Sequence, residues 1–554
     1  MAGDPKVLCT RYERLAAEAA THFKHCDELA PFIAPSRVGI LSKRFPGDKQ
    51  GREVYDSTSM MAAELMAQFV GGHTINPAQL WGTMRLQHPR QRAQDEINEW
   101  LDECRDRQLA QYAASMFYAE GVESLIDWCG FGTGFLLREE RPQPVNHTLT
   151  GFRGFYFQAK KTGRFLITDN AEGLVDTVFD ESTMTAKMMA DRWGQEVLPE
   201  KAKRALIEGK PDDPFTVIHA VFPRTLAEQR YASGAKGMPW ASCWIEKDSK
   251  HLIQESGYRA FPGAAFRYHR TPGEVFGRGR GQIAFPDTWT LNTTKRMGLE
   301  DWALKIRPPV LVAHDSVIGT LRLTPGGPTS INTRGRAIHD VIGHFETGSN
   351  PQVTQIKEEE LRKSIRQVFF VDQILMLMEV NKSEMTAYEF AKKMDLLFKI
   401  MGPVYGRTEH EFLRQMWDGT FDELLAGGVF SPPPESIYET DGTIDLTFQN
   451  PIARAQRSGD VEAMTQTMQD LLPFGQAFPQ VFDRIDPDKT ASTIMEIRGY
   501  PARATRNDDE VQAVRTARQD QQMQEQQMAQ AGDLAAAVGK AAPMLTALQG
   551  GRSR

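Results

Sequence analysis

Residues 282–309 read QIAFPDTWTLNTTKRMGLEDWALKIRPP, residues 355–372 read QIKEEELRKSIRQVFFVD, and these two stretches with the segment between them decide the fold. The first predicts a helix over 287–306, opened by Asp287 behind Pro286 and stopped by Pro308-Pro309. Leu299, Trp302, Ala303 and Ile306 follow one another at helical spacing, although the first half is weakly amphipathic. In the second, Leu361, Ile365, Val368 and Phe369 make one apolar stripe. Glu358/Arg362 and Glu359/Lys363 are i,i+4 pairs in the favourable order, expected on the solvated side. Residues 310–347 carry short apolar runs, VLVA and VIGTLRL, broken by PGGP and TRGR. That pattern predicts a compact strand-and-turn insert raised on two helical legs, an arrangement suited to a contact tip.

Working outward, VDQILMLMEVNKSEM (371–385) leads to Thr386-Ala-Tyr-Glu389, a capping box in which Thr accepts from an early backbone N–H and Glu reaches back. A helix is expected from Thr386, with Phe390, Met394, Leu397, Phe398 and Met401 on its apolar face and a kink at Gly402-Pro403. Thr408-Glu-His-Glu411 repeats the box, so helix should start afresh there.

On the N-terminal side, residues 1–140 read as mostly helical, with segments at 11–29, 56–70 and 97–128, the second capped by Asp56-Ser-Thr-Ser. From Gly151 the period changes to two: 155–159, 164–168 and 174–180 read as a β-meander turning at KKTG and DNAEG. A helical excursion over 182–207 and strands at 215–222 and 241–246 follow. On the C-terminal side Ser431-Pro-Pro-Pro434 marks a boundary before a last helical region reaching about residue 500. Beyond it the Gln-, Met- and Ala-rich tail suits a solvated helix but not a core, and the closing LQGGRSR reads as disordered. The sequence shows no internal repeat.

At 554 residues, 41% hydrophobic, the chain can bury several cores. Its five cysteines (Cys9, Cys26, Cys104, Cys129, Cys243) are widely spaced and include no CxxC pair, which argues against a disulfide framework or a zinc ribbon and fits a reducing cytosol. The most apolar run, 368–380, is too short for a bilayer and contains Asp372, Gln373 and Glu379, so no membrane role is expected. Net charge is −7, wrong for a domain gripping duplex DNA through many phosphates.

The order of helix, insert, helix, loop and kinked helix resembles the portal, or head-to-tail connector, proteins of short-tailed phages. Two flanking motifs extend the resemblance: Cys129-GFGTGFLLREE, like that family's helix-to-strand passage, and Glu274-VFGRGRG, like its glycine- and arginine-rich entry to the first stem helix. It spans roughly residues 10–500. It implies an α+β, predominantly helical, portal-type fold with wing, stem, clip and C-terminal helical crown. The helical part of the wing would occupy 1–150, the β-rich wing 151–281, the first stem helix 282–309 and the clip 310–350. The second stem helix would occupy 351–372, the tunnel loop and long kinked helix 373–430, the crown 431–503 and the tail 504–554. Function would be positional: a homododecameric ring at one capsid vertex passes double-stranded DNA inward during packaging and outward at ejection. The clip would dock the terminase and later the tail adaptor and other tail proteins, with major capsid and scaffolding proteins as further partners. Location would be the virion, after assembly in the host bacterial cytoplasm. By the same resemblance Glu379, Asn381, Lys382, Ser383 and Glu384 fall on the tunnel loop facing DNA, and Arg278, Arg280, Arg322, Arg334 and Arg336 are candidates for subunit or partner contacts. A solvated loop lysine is the plainer reading of Lys382.

Competing chemistry is weak. Gly130-Phe-Gly-Thr-Gly134 follows a helix and precedes a strand, the reverse of the order that presents helix N–H groups to a pyrophosphate. Gly277-Arg-Gly-Arg-Gly281 lacks the third glycine spacing, and no GxxxxGK[ST] motif occurs. His22, His25 and Cys26 on one helix supply too few convergent ligands for a metal and read as helix surface; His339 and His344 miss the i,i+4 spacing. No Ser/His/Asp arrangement stands out, although a triad assembled in space leaves no sequence trace. The expectation is a protein without catalysis, cofactor or metal. The alternatives are another virion tail or connector component, or a nucleic-acid-processing enzyme akin to a large terminase.

Overall fold

A computed structural model describes residues 3–41, 47, 51, 53–86, 95–141, 152–231, 233–306, 310–312, 317–318, 330–332, 335, 337, 342–344, 351–378, 387–439, 444–448, 461, 463–473, 480, 485–498 and 510–524. Contacts divide the chain into two units: Met1–His88 with Ile97–Gln456, and Pro89–Glu96 with Arg457–Arg554.

The first unit opens with α1 (Pro5–Ile33), whose N-cap Asp4 accepts from the Lys6 amide at 2.9 Å with Pro5 pre-set at the first position. Next come α2 (Thr58–Thr74) and the strand β1 (Gly82–Leu86). The expected single helix over 97–128 is two, α3 (Asp95–Ala113) and α4 (Phe117–Phe131). α4 ends at Gly132, φ +98°, whose amide donates back to the Asp127 and Trp128 carbonyls, and the chain passes directly into β2 (Thr133–Glu140). β2 is buried on both faces except at Glu140, which is why FLLREE shows no polar alternation.

The strands within residues 133–267 form two sheets where one meander was expected. β3 (Phe155–Ala159) pairs with β2, as does β9 (Gly263–Arg267), in a three-stranded sheet of order β3-β2-β9. β4 (Phe165–Asp169), β5 (Val175–Thr185), β6 (Pro214–Pro223), β7 (Trp240–Glu246) and β8 (His251–Tyr258) form a separate five-stranded antiparallel meander. KKTG therefore crosses between sheets instead of turning a hairpin. β5 outruns its expected end because its pairing with β6 runs from Val178↔Val221 as far as Thr185↔Pro214; Thr185 then caps α5 (Ala186–Trp193) by accepting from the Met188 amide at 3.2 Å. The helical excursion thus begins at 186, not 182, and continues through α6 (Glu200–Ile207), with the short α7 (Leu226–Tyr231) between β6 and β7.

The first leg, α8 (Arg280–Ile306), begins earlier than predicted, with Pro286 inside it. Asp287 does not cap: its carboxylate accepts from Ser364 Oγ at 2.5 Å on the facing leg. Thr288 and Thr290 donate to the Ala284 and Pro286 carbonyls, each at 2.8 Å, and Phe285 and Trp289 pack on Phe32 of α1. Tertiary contacts thus hold the turn that a proline alone would break. In the insert, β10 (Val310–Val312) pairs with β13 (Ile342–His344) and β11 (Val317–Ile318) with β12 (Ser330–Ile331), both antiparallel.

The second leg, α9 (Pro351–Val368), has the predicted stripe, Ile365 and Phe369 being fully buried. It ends before Asp372, and α10 (Val371–Met378) follows two residues on. α11 (Ala387–Thr408) runs through Pro403, a π turn covers Glu409–Arg414, and α12 (Gln415–Ala426) continues. No helix restarts at Thr408: it is itself helical and its hydroxyl donates to the Val404 carbonyl at 3.1 Å instead of capping. The unit continues past the polyproline stretch to β14 (Ile444–Phe448), which pairs with β1 from Gly82↔Phe448 to Leu86↔Ile444. In the second unit, α13 (Pro487–Arg498) is capped by Asp486, which accepts from the Asp488 and Lys489 amides. Residues 510–524 are helical and largely exposed, and Arg515 grips Asp488 through two hydrogen bonds of 2.6 and 2.8 Å.

Candidate functional site

The paired helices α8 and α9 carry the sequence's distinctive stretch, and α8 meets the rest of the first unit through a contact of glycines. A Cβ on Gly132 would lie 2.5 Å from backbone atoms of Gly277, Arg278 and Gly279; one on Gly279 would lie 2.6 Å from the Cys129 carbonyl oxygen. Gly281, in the first turn of α8, abuts Gly130 in the same manner. The Gly277 amide donates to Thr133 Oγ1 at 2.8 Å, and the Arg278 amide to the His269 carbonyl at 2.8 Å. The two glycine-rich motifs are therefore each other's socket, backbone on backbone, and neither presents a free row of amides to a phosphate.

Above this joint α8 and α9 are fastened by charge. Glu358 is 5% exposed and accepts from Lys295 of α8 at 2.9 Å and from Arg362 at 3.2 Å. Arg362 also reaches Asp56 before α2, at 2.9 Å. Burial alone would raise the Asp56 carboxyl, but hydrogen bonds from Thr58 and Arg362 outweigh it and hold it below the ordinary value. The Glu358/Arg362 pair, expected on the solvated face, is thus turned inward; Glu359 takes Arg366 and Arg362 rather than Lys363. An open groove of about 600 Å³ runs between the legs, where polar residues such as Thr290, Thr294, Lys357 and Glu360 present mainly the apolar parts of their side chains. Toward the insert the first leg exposes one apolar face: Leu299 is 48%, Trp302 56% and Ile306 74% exposed, at helical spacing.

Arg278 pairs within the chain with Glu274, both side chains exposed. Arg280 donates from Nε to the Tyr268 hydroxyl at 2.6 Å, and its guanidinium lies 4.6 Å from the centre of the Phe370 ring. Arg322, Arg334 and Arg336, and Glu379, Asn381, Lys382, Ser383 and Glu384, lie outside the described residues, as do the Thr386 cap and His339.

Three buried ionic hubs escaped sequence reading because their members lie far apart in the chain. Arg267, at the end of β9, holds Glu411 at 2.6 Å and Asp169 at 2.9 Å. Arg138 of β2 reaches Glu423 of α12 at 3.0 Å. Glu139, 4% exposed, accepts from Tyr156, Tyr258 and Arg192 and so staples the two sheets and α5 together. Beside it His219 Nε2 lies 2.9 Å from Ser242 Oγ and Nδ1 lies 3.8 Å from Glu139. This has the order of an acyl-transfer triad, but the His–carboxylate distance exceeds a hydrogen bond, all three side chains are buried, and the imidazole stacks flat on Trp244 at 3.9 Å. It is a core network. Burial drives the His219 ring well below its ordinary pKa, with Arg192 adding to the effect.

The His22, His25 and Cys26 stretch is not helix surface as expected: Cys26 is buried beside His22, which stacks on Phe276 at 4.9 Å, and His25 meets Phe285 edge-on. Among the described residues no cluster of His, Cys, Asp or Glu is arranged to hold a metal ion, and no helix is long and apolar enough to cross a membrane. All five cysteines are buried and unpaired with one another.

A mixed helix-and-sheet body bearing a two-helix projection, with a sequence that matches the pattern of bacteriophage head to tail connecting proteins over residues 6–505, defines the class: the chain belongs to that family. Over 544 residues, 96% of this chain and 95% of the relative, it is 24% identical to a probable portal protein of Bordetella phage BPP-1. Over 533 residues, 94% and 92% of the two chains, it is 22% identical to a portal protein of Salmonella phage epsilon15.

Proposed function

We propose that this chain forms the portal at one capsid vertex, a ring-shaped structural component of the virion through which DNA is packaged and ejected. The observation that carries the reading is the first leg: a helix whose far half leaves Leu299, Trp302 and Ile306 open on one face in a single copy, on a chain of the connector family. Apolar surface of that kind marks an interface, and copies arranged about one axis bury it repeatedly. In this reading 1–281 is the wing, 282–309 and 351–372 the stem, 310–350 the clip, 431–503 the crown, and 373–430 the tunnel loop with the long helix. The ring is a dodecamer assembled in the host cytoplasm, the clip receives the terminase and then the tail adaptor, and Arg322, Arg334 and Arg336 serve that docking. Lys382, with Glu379, Asn381, Ser383 and Glu384, meets DNA in the channel. Its role is positional, without catalysis.

Electron microscopy of the purified protein tests the ring: particles with an axial hole are expected, and a strictly monomeric protein at micromolar concentration and physiological salt would overturn it. For DNA, a net charge of −7 argues for weak binding to free duplex, since a binder neutralising Z phosphates loses affinity with a salt slope of about −0.9Z. Lys382→Ala should leave assembly intact and alter DNA retention in assembled particles; unchanged retention removes that residue from the channel role.

A further inference from the structure

Phe370, one of the two residues between α9 and α10, has φ +58°. Among the described residues the only other non-glycine with positive φ is Lys250, at the turn between β7 and β8. A hairpin turn accounts for Lys250. At Phe370 the chain arrives and departs as helix: the Phe369 amide donates to the Ile365 carbonyl at 3.3 Å, and the Ile374 amide to the Phe370 carbonyl at 3.0 Å. A bulky aromatic residue holds the left-handed region only where its surroundings over-determine it.

Those surroundings are identifiable. Arg280, the first residue of α8, sets its guanidinium 4.6 Å from the centre of the Phe370 ring and is itself aimed by the hydrogen bond of its Nε to the Tyr268 hydroxyl. Arg366 of α9 reaches across the break to Asp372 of α10 at 3.3 Å. Phe369 and Ile374 anchor the two sides in the core. The latch therefore lies on one leg and the strained residue at the end of the other.

We infer that Phe370 is a two-state joint latched by Arg280. With the guanidinium withdrawn, Phe370 drops into the right-handed helical region, α9 and α10 merge into one helix, and the direction in which the chain leaves Met378 changes. The merged form regains intrahelical hydrogen bonds that the break forfeits and gives up the burial of Ile374, so the broken form is the ground state and the merged form a minor one. A displacement of α8 that carries Arg280 away from the ring shifts the balance, which makes the bases of the two legs a coupled pair.

Distance measurement by electron spin resonance on the full-length protein tests this. Labels go on Gln355→Cys in α9 and Gln373→Cys in α10, both exposed, with the five native cysteines buried. Dilution with unlabelled chains restricts the signal to one copy. A continuous helix places the two positions about 27 Å apart at its usual rise per residue, and the broken joint brings them closer. The wild type should show mainly the shorter distance. Arg280→Ala and Phe370→Ala should each raise the longer population about threefold or more. Phe370→Gly, which tolerates positive φ without strain, should keep the shorter one. If both alanine variants keep the wild-type distribution with unchanged helicity, or if Phe370→Gly shifts as far as Phe370→Ala, the joint is not two-state. Should Phe370→Ala prove insoluble, Arg280→Ala alone decides.

Discussion

Arg267 and Glu411 meet at 2.6 Å with both side chains buried, and the Arg267 amide donates to the same carboxylate at 2.8 Å. β9 is thereby tied by main chain and side chain to the π turn at Glu409–Arg414. Asp169 and the Gly173 and Val275 carbonyls take the remaining guanidinium donors. Removing one partner of such a pair leaves an uncompensated buried charge, at about 3–5 kcal/mol. Arg267→Met should therefore lower stability by that order, read as the urea midpoint, whereas Arg278→Met, at an exposed pair, should cost less than about 1 kcal/mol. Equal losses would show that Arg267 is not a hub.

The glycine socket makes a sharper comparison. Gly132 and Gly273 both have positive φ, +98° and +86°, but a Cβ at 273 meets open space and one at 132 meets the backbone of 277–279. Backbone strain alone costs about 1–2 kcal/mol, and overpacking adds about 1–3 kcal/mol. Gly273→Ala should remain soluble and slightly destabilised, while Gly132→Ala loses most of its soluble yield.

His22 gives a pH dependence. Burial, reinforced by Arg278, lowers its pKa from 6.5 to about 4. The unfolded chain takes up a proton near 6.5 and the folded chain does not until near 4. The stability this histidine contributes is therefore complete above 6.5 and lost as pH falls between those values, at most about 3 kcal/mol. Between pH 7 and 4.5 the fall in unfolding temperature should be smaller in His22→Gln than in wild type; parallel falls would assign the acid sensitivity elsewhere.

Trp302 tests the interface reading of the first leg. Being 56% exposed, it can become Lys with little cost to the fold, within about 0.5 kcal/mol. Trp302→Lys should keep the wild-type circular dichroism spectrum and shift mass photometry from a large species to small ones. A variant that assembles like wild type removes this face from the subunit contact.

What was legible in the sequence was local. The stripe of Leu361, Ile365 and Phe369, the span 155–159 and the helix-to-strand passage at 129–140 follow from periodicity and end signals. The helix starts expected at Asp287 and Thr408 did not follow: Ser364, distant in the chain, claims the Asp287 carboxylate, the Thr408 hydroxyl turns back to the Val404 carbonyl, and Arg267 claims Glu411, the other member of that box. β1 and β14 pair across most of the unit's sequence, so neither announces the other. Glu358 looked solvated because its partner Lys295 sits on another helix. The two glycine clusters were each visible and their contact was not: nothing in either one names the other.

That contact also bears on inheritance. An anchorage of backbone against backbone demands that residues 132, 279 and 281 carry no side chain, and asks far less of the helices that lead away from it. Relatives 24% and 22% identical over nearly the whole chain differ from it at most positions. A joint whose demands end at a few glycines leaves the outer faces of the leg open to refitting for new companions without redesigning how the leg is mounted.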